Sequence, residues 1–226
     1  MDENALETVT GLAGVKPFVM PYDRIVAVVS EVDGSPITVT RENALSHAKV
    51  ISHVFAQTTP LPFRFGALLR QAELDRYVES NRQSLLAMLA RVRGTAEMSV
   101  KIIAEGRSVG GAAQGHEEPA EAEEGIGRGA MFLAAKQREL EESRMSEERA
   151  REIANWLAEH LVGVVNDSFV RLRPTGGLAV KAAHLVERRR LEEYRELLKR
   201  ARDLRRELLF LTSGPWPPYS FCDLTT

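Results

Sequence analysis

Ser46-His47-Ala48-Lys49 has the S-x-x-K spacing in which penicillin-binding enzymes set a lysine one helical turn from a nucleophilic serine. The S-D-N and K-T-G motifs that complete such a site are missing, and an exposed lysine on a helix accounts for the four residues without chemistry. Metal binding would fall to the histidines, His47, His53, His116, His160 and His184. His47 and His53 lie six apart, which on a helix turns them to different sides, and no cysteine stands near to complete a zinc site. His184 alternates with strand-type residues, which predicts a partly buried ring held by a hydrogen bond. Gly125-Ile126-Gly127-Arg128-Gly129 is glycine-rich but follows an acidic stretch and not a strand, so it reads as linker and not as a phosphate cradle. No G-x-x-x-x-G-K-[ST], H-E-x-x-H or G-x-S-x-G occurs. The expectation is a non-enzymatic protein with no catalytic, cofactor or metal site.

Nine basic residues between Arg188 and Arg206, interleaved with Glu192, Glu193, Glu196 and Asp203, offer a different chemistry. They could dock an acidic partner or nucleic acid. Equally, they describe a solvated helix face laced by pairs one turn apart. No aromatic pattern of the RNA-reading kind accompanies them.

The elements that must position these groups follow from composition and periodicity. The chain has 226 residues, 44% hydrophobic and 27% charged, with 30 basic against 32 acidic side chains. That balance excludes a mainly disordered chain and argues against a dedicated nucleic-acid binder. Cys222 is the sole cysteine, no apolar run reaches the length of a membrane span, and the acidic start lacks a signal peptide; a soluble cytoplasmic protein is expected.

Residues 1–17 read as poorly ordered, and residues 18–95 as a small α+β domain. Within it, Arg24–Val29 has the β-branched character of a strand. Thr40 is an N-cap without a capping box, and the apolar spacing from Leu45 to Phe55 predicts a helix. Pro60 and Pro62 end that helix, Phe63–Gly66 looks β-like, and a second helix spans Gln71 to Val92 with Gly94 beyond it. Residues 96–226 read as a second domain. Glu97–Ala104 and Phe169–Arg173 are strands, and Leu178–Val186 returns as a third after a Pro174–Gly177 turn. A long amphipathic helix precedes the second strand, another helix runs to about Arg206, and Leu208–Leu211 forms the last strand. The glycine-rich, acidic residues 105–129 read as a disordered insert. The order βαββαβ predicts a ferredoxin-like antiparallel sheet with both helices on one face.

Four segments carry a resemblance: the Leu45–Val50 helix, Leu61-Pro62-Phe63-Arg64-Phe65-Gly66, Glu97-Met98-Ser99-Val100-Lys101, and Gly214-Pro215-Trp216-Pro217-Pro218-Tyr219-Ser220-Phe221. In this order and spacing the chain resembles the GvpF/GvpL gas vesicle protein family over roughly residues 12–222. The resemblance implies two α+β domains, the second ferredoxin-like. It also implies an accessory role in gas vesicle assembly, with the major shell protein and other accessory proteins as partners, no nucleic acid or membrane, and a cytoplasmic location at the vesicle. Such a protein would bind the hydrophobic major shell protein, either as a chaperone that holds it before it polymerises or as a minor shell-associated component. Met1–Thr10 departs from the strand with which members open, which predicts a first domain short of an edge strand. Phe63, Arg64, Phe65, Trp216 and Tyr219 are the candidate partner-binding residues, and each can serve packing instead. The aromatics of the terminal segment are expected to fold back onto the second domain. The competing reading is a ferredoxin-like regulatory or nucleic-acid-binding module using the basic helix.

Overall fold

A computed structural model of the chain describes residues 6, 8–33, 37–104, 128–173, 178–222 and 224. The predicted insert falls outside the described residues up to 127, and residues 128–129 belong to a helix.

The chain opens with β1 (Phe18–Tyr22) and β2 (Ile25–Val29), an antiparallel hairpin in which Phe18 faces Val29 and Tyr22 faces Ile25. Asp23 makes the turn with φ +53°. The expected absence of an opening strand concerns Met1–Thr10, most of which lies outside the described residues; strand β1 is an element that the sequence reading lacks. Before it, Leu6 is buried and Leu12–Gly14 forms a 3-10 turn closed by the Gly11 amide on the Val15 carbonyl, so the described part of 1–17 is structured where little order was expected.

Helix α1 (Arg41–Gln57) is capped by the Thr40 hydroxyl, which accepts from the Asn43 amide at 3.2 Å. Phe63–Gly66 is not a strand: it is an irregular loop with a turn at Phe65–Gly66, where Gly66 takes φ +93°. Pro60 and Pro62 remove the amides that a ladder would need. Helix α2 (Gln71–Val92) begins with the Arg70 amide donating to the Glu73 carboxylate at 2.8 Å and ends at Gly94, φ +70°.

The remainder builds β3 (Thr95–Ala104), α3 (Arg128–His160), β4 (Val165–Arg173), β5 (Leu178–Glu187), α4 (Leu191–Leu204) and β6 (Leu208–Trp216). The strands form one antiparallel sheet in the order β4-β5-β3-β6. With β3 counted first, that is the ferredoxin-like arrangement, and the fold is α+β. Strand period decides which residues meet the helices. Val100, Ile102 and Ala104 of β3, Val180 and Val186 of β5 and Leu208 of β6 pack beneath Ile153, Leu157 and Leu161 of α3 and Tyr194, Leu198 and Ala201 of α4. Each fully buried side chain of this size contributes roughly 1.5–3 kcal/mol. Helix α3 outruns this core: its described side chains are exposed up to Arg149, and burial starts at Ala150.

Among the described residues, the opposite face of the sheet is covered at one end only. There Ala183 and Leu185 meet Val92 from α2 and Phe221 and Cys222 from the C-terminal segment, with Leu61 and Leu224 alongside. Leu61 and Leu224 also pack against Ile25, Val78 and Leu85, so the C-terminal segment joins the N-terminal elements to the sheet.

Candidate functional site

The uncovered part of that face is the most conspicuous surface of the molecule, and register shows how it is assembled. Leu208 and Phe210 point to the helices, which turns Leu209 and Leu211 to the open side. Both are about half exposed. Farther along the same edge strand Trp216 stands opposite Glu97, and its indole N–H donates to the Ser213 hydroxyl at 3.2 Å. Leu209, Leu211 and Trp216 therefore form one apolar stripe on β6, a strand whose outer edge has no neighbour in the sheet among the described residues. Beside the stripe, Lys101 on β3 faces Lys181 on β5, and Lys181 faces Arg171 on β4. All three are exposed, and none forms an ion pair among the described residues. The Arg171 guanidinium lies 5.0 Å from the centre of the Phe169 ring, which is exposed on the far edge.

The terminal motif ends the stripe, and a close approach fixes its path. Gly214 has φ +123°, and a Cβ there would stand 2.8 Å from the Glu97 carbonyl oxygen and 2.9 Å from Met98 Sδ. Only glycine fits where β6 slips register past Glu97 and Ser99. The peptide from Gly214 to Pro215 is cis. Glu97, itself buried, then holds the chain beyond Trp216. Its carboxylate accepts from the Ser220 amide at 2.7 Å and the Ser220 hydroxyl at 2.8 Å. Burial beside Glu97 pushes the Cys222 thiol up to about 12, which keeps it protonated and unreactive near neutrality. Burial, and then Glu97, likewise raises Tyr219.

The structure separates the predicted site residues into two places. Phe63 stacks edge-on against Tyr77 at 5.8 Å, its carbonyl accepts from His47 Nε2–H at 3.1 Å, and Phe65 sits edge-on to His47 at 5.7 Å. These contacts fasten the loop to α1 and α2, and Arg64 is exposed between them. Trp216 ends β6, and Tyr219 opens the 3-10 turn Tyr219–Phe221 just beyond it. Of the three terminal aromatics expected to be buried, Phe221 is buried, whereas Trp216 is 49% exposed and Tyr219 40%. The strand extends five residues farther than the apolar run Leu208–Leu211 indicates, and it carries Trp216 out along the edge.

The other candidate chemistries resolve into packing. His184 is buried, shares a 2.8 Å hydrogen bond between Nδ1 and the Tyr194 hydroxyl, and is lowered to about 4 by desolvation. His53 lies 3.2 Å from Gln57 within α1, and Lys49 of the S-x-x-K segment is exposed. Among the described residues no group of three or more His, Cys, Asp or Glu is placed to hold a metal, and no helix is long and apolar enough to cross a membrane. On the basic helix, Arg190 pairs with Glu193, Arg195 with Glu192 and Arg205 with Glu207. Arg188 leaves the surface: its guanidinium stacks 3.9 Å from the centre of the Phe55 ring and donates to the Phe55 and Thr58 carbonyls at the end of α1. Much of the basic charge of that segment is therefore balanced by neighbouring carboxylates, with Lys199, Arg200 and Arg206 left without an ion pair among the described residues, while the row on the sheet is the one that sequence reading missed.

Comparison with known proteins places this architecture. The sequence matches the family described as gas vesicle synthesis protein GvpL/GvpF over residues 1–223. It is 23% identical over 222 residues to gas vesicle protein F1 of Halobacterium salinarum, covering 96% of this chain and 86% of that protein. It is 27% identical over 221 residues to gas vesicle protein F of Haloferax mediterranei, again covering 96% and 86%. The fold is similar to the crystal structure of the gas vesicle protein GvpF from Anabaena sp. PCC7120, with a TM-score of 0.76 at 17% identity over 100% of this chain and 92% of that one. It is also similar to that of gas vesicle protein GvpF from Microcystis aeruginosa, with a TM-score of 0.67 at 17% identity over 96% and 92%. With the family match running through both the N-terminal elements and the sheet, the chain belongs to the gas vesicle synthesis protein GvpL/GvpF family.

Proposed function

We propose that this chain is a non-enzymatic assembly factor that holds the hydrophobic major shell protein of the gas vesicle before it polymerises, using the open face of the sheet. Family membership supports a gas vesicle-related role. The observation that carries the finer reading is the stripe Leu209, Leu211 and Trp216, exposed along an edge strand. A shell subunit with apolar strands pairs with its own copies unless its edges are covered. An edge strand with an apolar flank can cover them by strand addition, in which main-chain hydrogen bonds give affinity and the flanking side chains give selectivity. The cytoplasmic side of the vesicle is where such a factor would work.

Retention of purified shell protein by the immobilised chain tests this. The wild type should retain it well above an unrelated acidic control, and Leu211→Asp should release most of it while keeping its unfolding transition. Equal retention by control and wild type would sink the reading. The nucleic-acid alternative finds less support, since Arg188 is drawn into the fold and Arg190, Arg195, Arg202 and Arg205 pair with carboxylates, which leaves Lys199, Arg200 and Arg206 of that segment without an ion pair among the described residues.

A further inference from the structure

Arg171, Lys181 and Lys101 stand directly opposite one another on three adjacent strands. Like charges in that position destabilise a sheet, and among the described residues no carboxylate relieves them. Leu211 on β6 faces Lys101 and continues the row, while Leu209 on β6 lies to one side of its line and Phe169 on β4 to the other. A flat, half-apolar sheet face is the surface on which helices pack, as α3 and α4 do on the reverse of this sheet.

We infer that this face docks an acidic amphipathic helix of a partner protein, lying across the strands with one carboxylate per turn against Arg171, Lys181 and Lys101. The two repeats match. Neighbouring strands stand about 4.8 Å apart, so the three basic positions span roughly 10 Å. Carboxylates at i, i+4 and i+7 of a helix span about 10.5 Å along one side. Apolar residues on that helix would then meet Leu211 beyond the last carboxylate, Leu209 on one flank and Phe169 on the other. A nucleic acid fits less well, because stacking platforms on sheets of this topology place their rings on the central strands. Here Phe169 and Trp216 stand on the two edge strands, and the central strands offer Ser99, Lys101, Ile103 and Lys181. The inference rests on the sheet face being a docking surface, and it adds a charge code to the apolar stripe.

The test uses the full chain and a pair of synthetic helical peptides. One carries glutamates at i, i+4 and i+7 with leucines on the flanking stripes, and the other carries lysines in place of the glutamates. By fluorescence anisotropy, the wild type should bind the glutamate peptide at least about tenfold more tightly, with a preference that shrinks as salt is raised. Lys101→Glu with Lys181→Glu should reverse the preference, and its circular-dichroism melt reports whether it is folded. The single variant Lys101→Glu, which exchanges a repulsion for a cross-strand pair with Lys181, should melt slightly above the wild type and bind the glutamate peptide several-fold more weakly. Equal affinity for the two peptides, or an unchanged preference in the folded double variant, would overturn the inference. So would a single-stranded oligonucleotide bound as tightly as the glutamate peptide. Self-association that the double variant abolishes, without peptide binding, would assign the face to a second copy. Shell-protein retention is measured on the same variants. Its absence in the wild type, with the peptide preference intact, would remove the shell reading and leave the charge code standing.

Discussion

The N-terminal elements and the four-stranded sheet solve the same problem unequally. The sheet and its two helices enclose a cluster of fifteen buried residues. The hairpin and α2 enclose three, Ile25, Val78 and Leu85, and complete the cluster with half-buried neighbours that include Leu61 and Leu224. Arg188, at the start of the α4 segment, adds hydrogen bonds to the end of α1. The sheet therefore carries its own stability, and the N-terminal region leans on it. A region with little private core opens at a lower free energy than the body it rests on.

The sharpest test of this asymmetry is a matched pair of truncations. Leu157→Ala, in the large cluster, should cost about 3–4 kcal/mol, and Leu85→Ala about 2 kcal/mol, because the smaller site can collapse. Urea unfolding followed by Trp156 fluorescence measures both, since Trp156 packs on the large cluster. Equal costs would break the comparison.

Acid attacks the sheet side selectively. His184 is held neutral in the fold down to about pH 4, whereas in the unfolded chain it takes a proton below about 6.5. The unfolded state then binds more protons, so stability falls as pH drops through that window, by about 3 kcal/mol across its width. Urea midpoints at pH 7 and pH 4.5 should show the loss, and His184→Gln should flatten it. A wild type with the same midpoint at both values would contradict this account.

Gly214→Ala places a Cβ against the Glu97 carbonyl and Met98 at a positive φ, and should cost about 2–3 kcal/mol. Glu97→Gln is gentler. It keeps an acceptor for Ser220 but loses the charge, and about 1 kcal/mol should disappear. In this variant the amides of α2 should exchange faster while those of β5 hold, because the C-terminal segment that links them is loosened. Uniform acceleration would mean that the two regions open together. Least of all, Trp216→Ala should move the melting temperature by no more than a degree or two, since half the ring is already in water.

How far the sequence could be read depends on whether the deciding contact is local. Helix α2 announces itself because Glu73 and Gly94 act within a turn of its ends. The strand Phe18–Tyr22 hides behind Pro21 and Met20, and its turn uses Asp23 where a glycine or asparagine would be the usual sign. Phe63–Phe65 has strand-like side chains, but its prolines deny it a ladder. The basic row could not be read at all. Arg171, Lys181 and Lys101 are scattered along the chain, and only strand order and register line them up. The strong signal of the terminal motif belongs mainly to architecture: Gly214 for a close approach, Ser220 for the Glu97 clasp and Phe221 for the buried end. Trp216 is its exposed member.

Leu224 also sets an order of events at the ribosome. It packs into the cluster of Ile25, Val78 and Leu85, which are synthesised long before it. The hairpin and α2 can fold only provisionally while translation proceeds, and their core closes in its final form once residue 224 has cleared the exit tunnel. The part of the protein that is made first is thus completed last, and a nascent chain stalled anywhere in β6 would present it unfinished to the quality-control machinery.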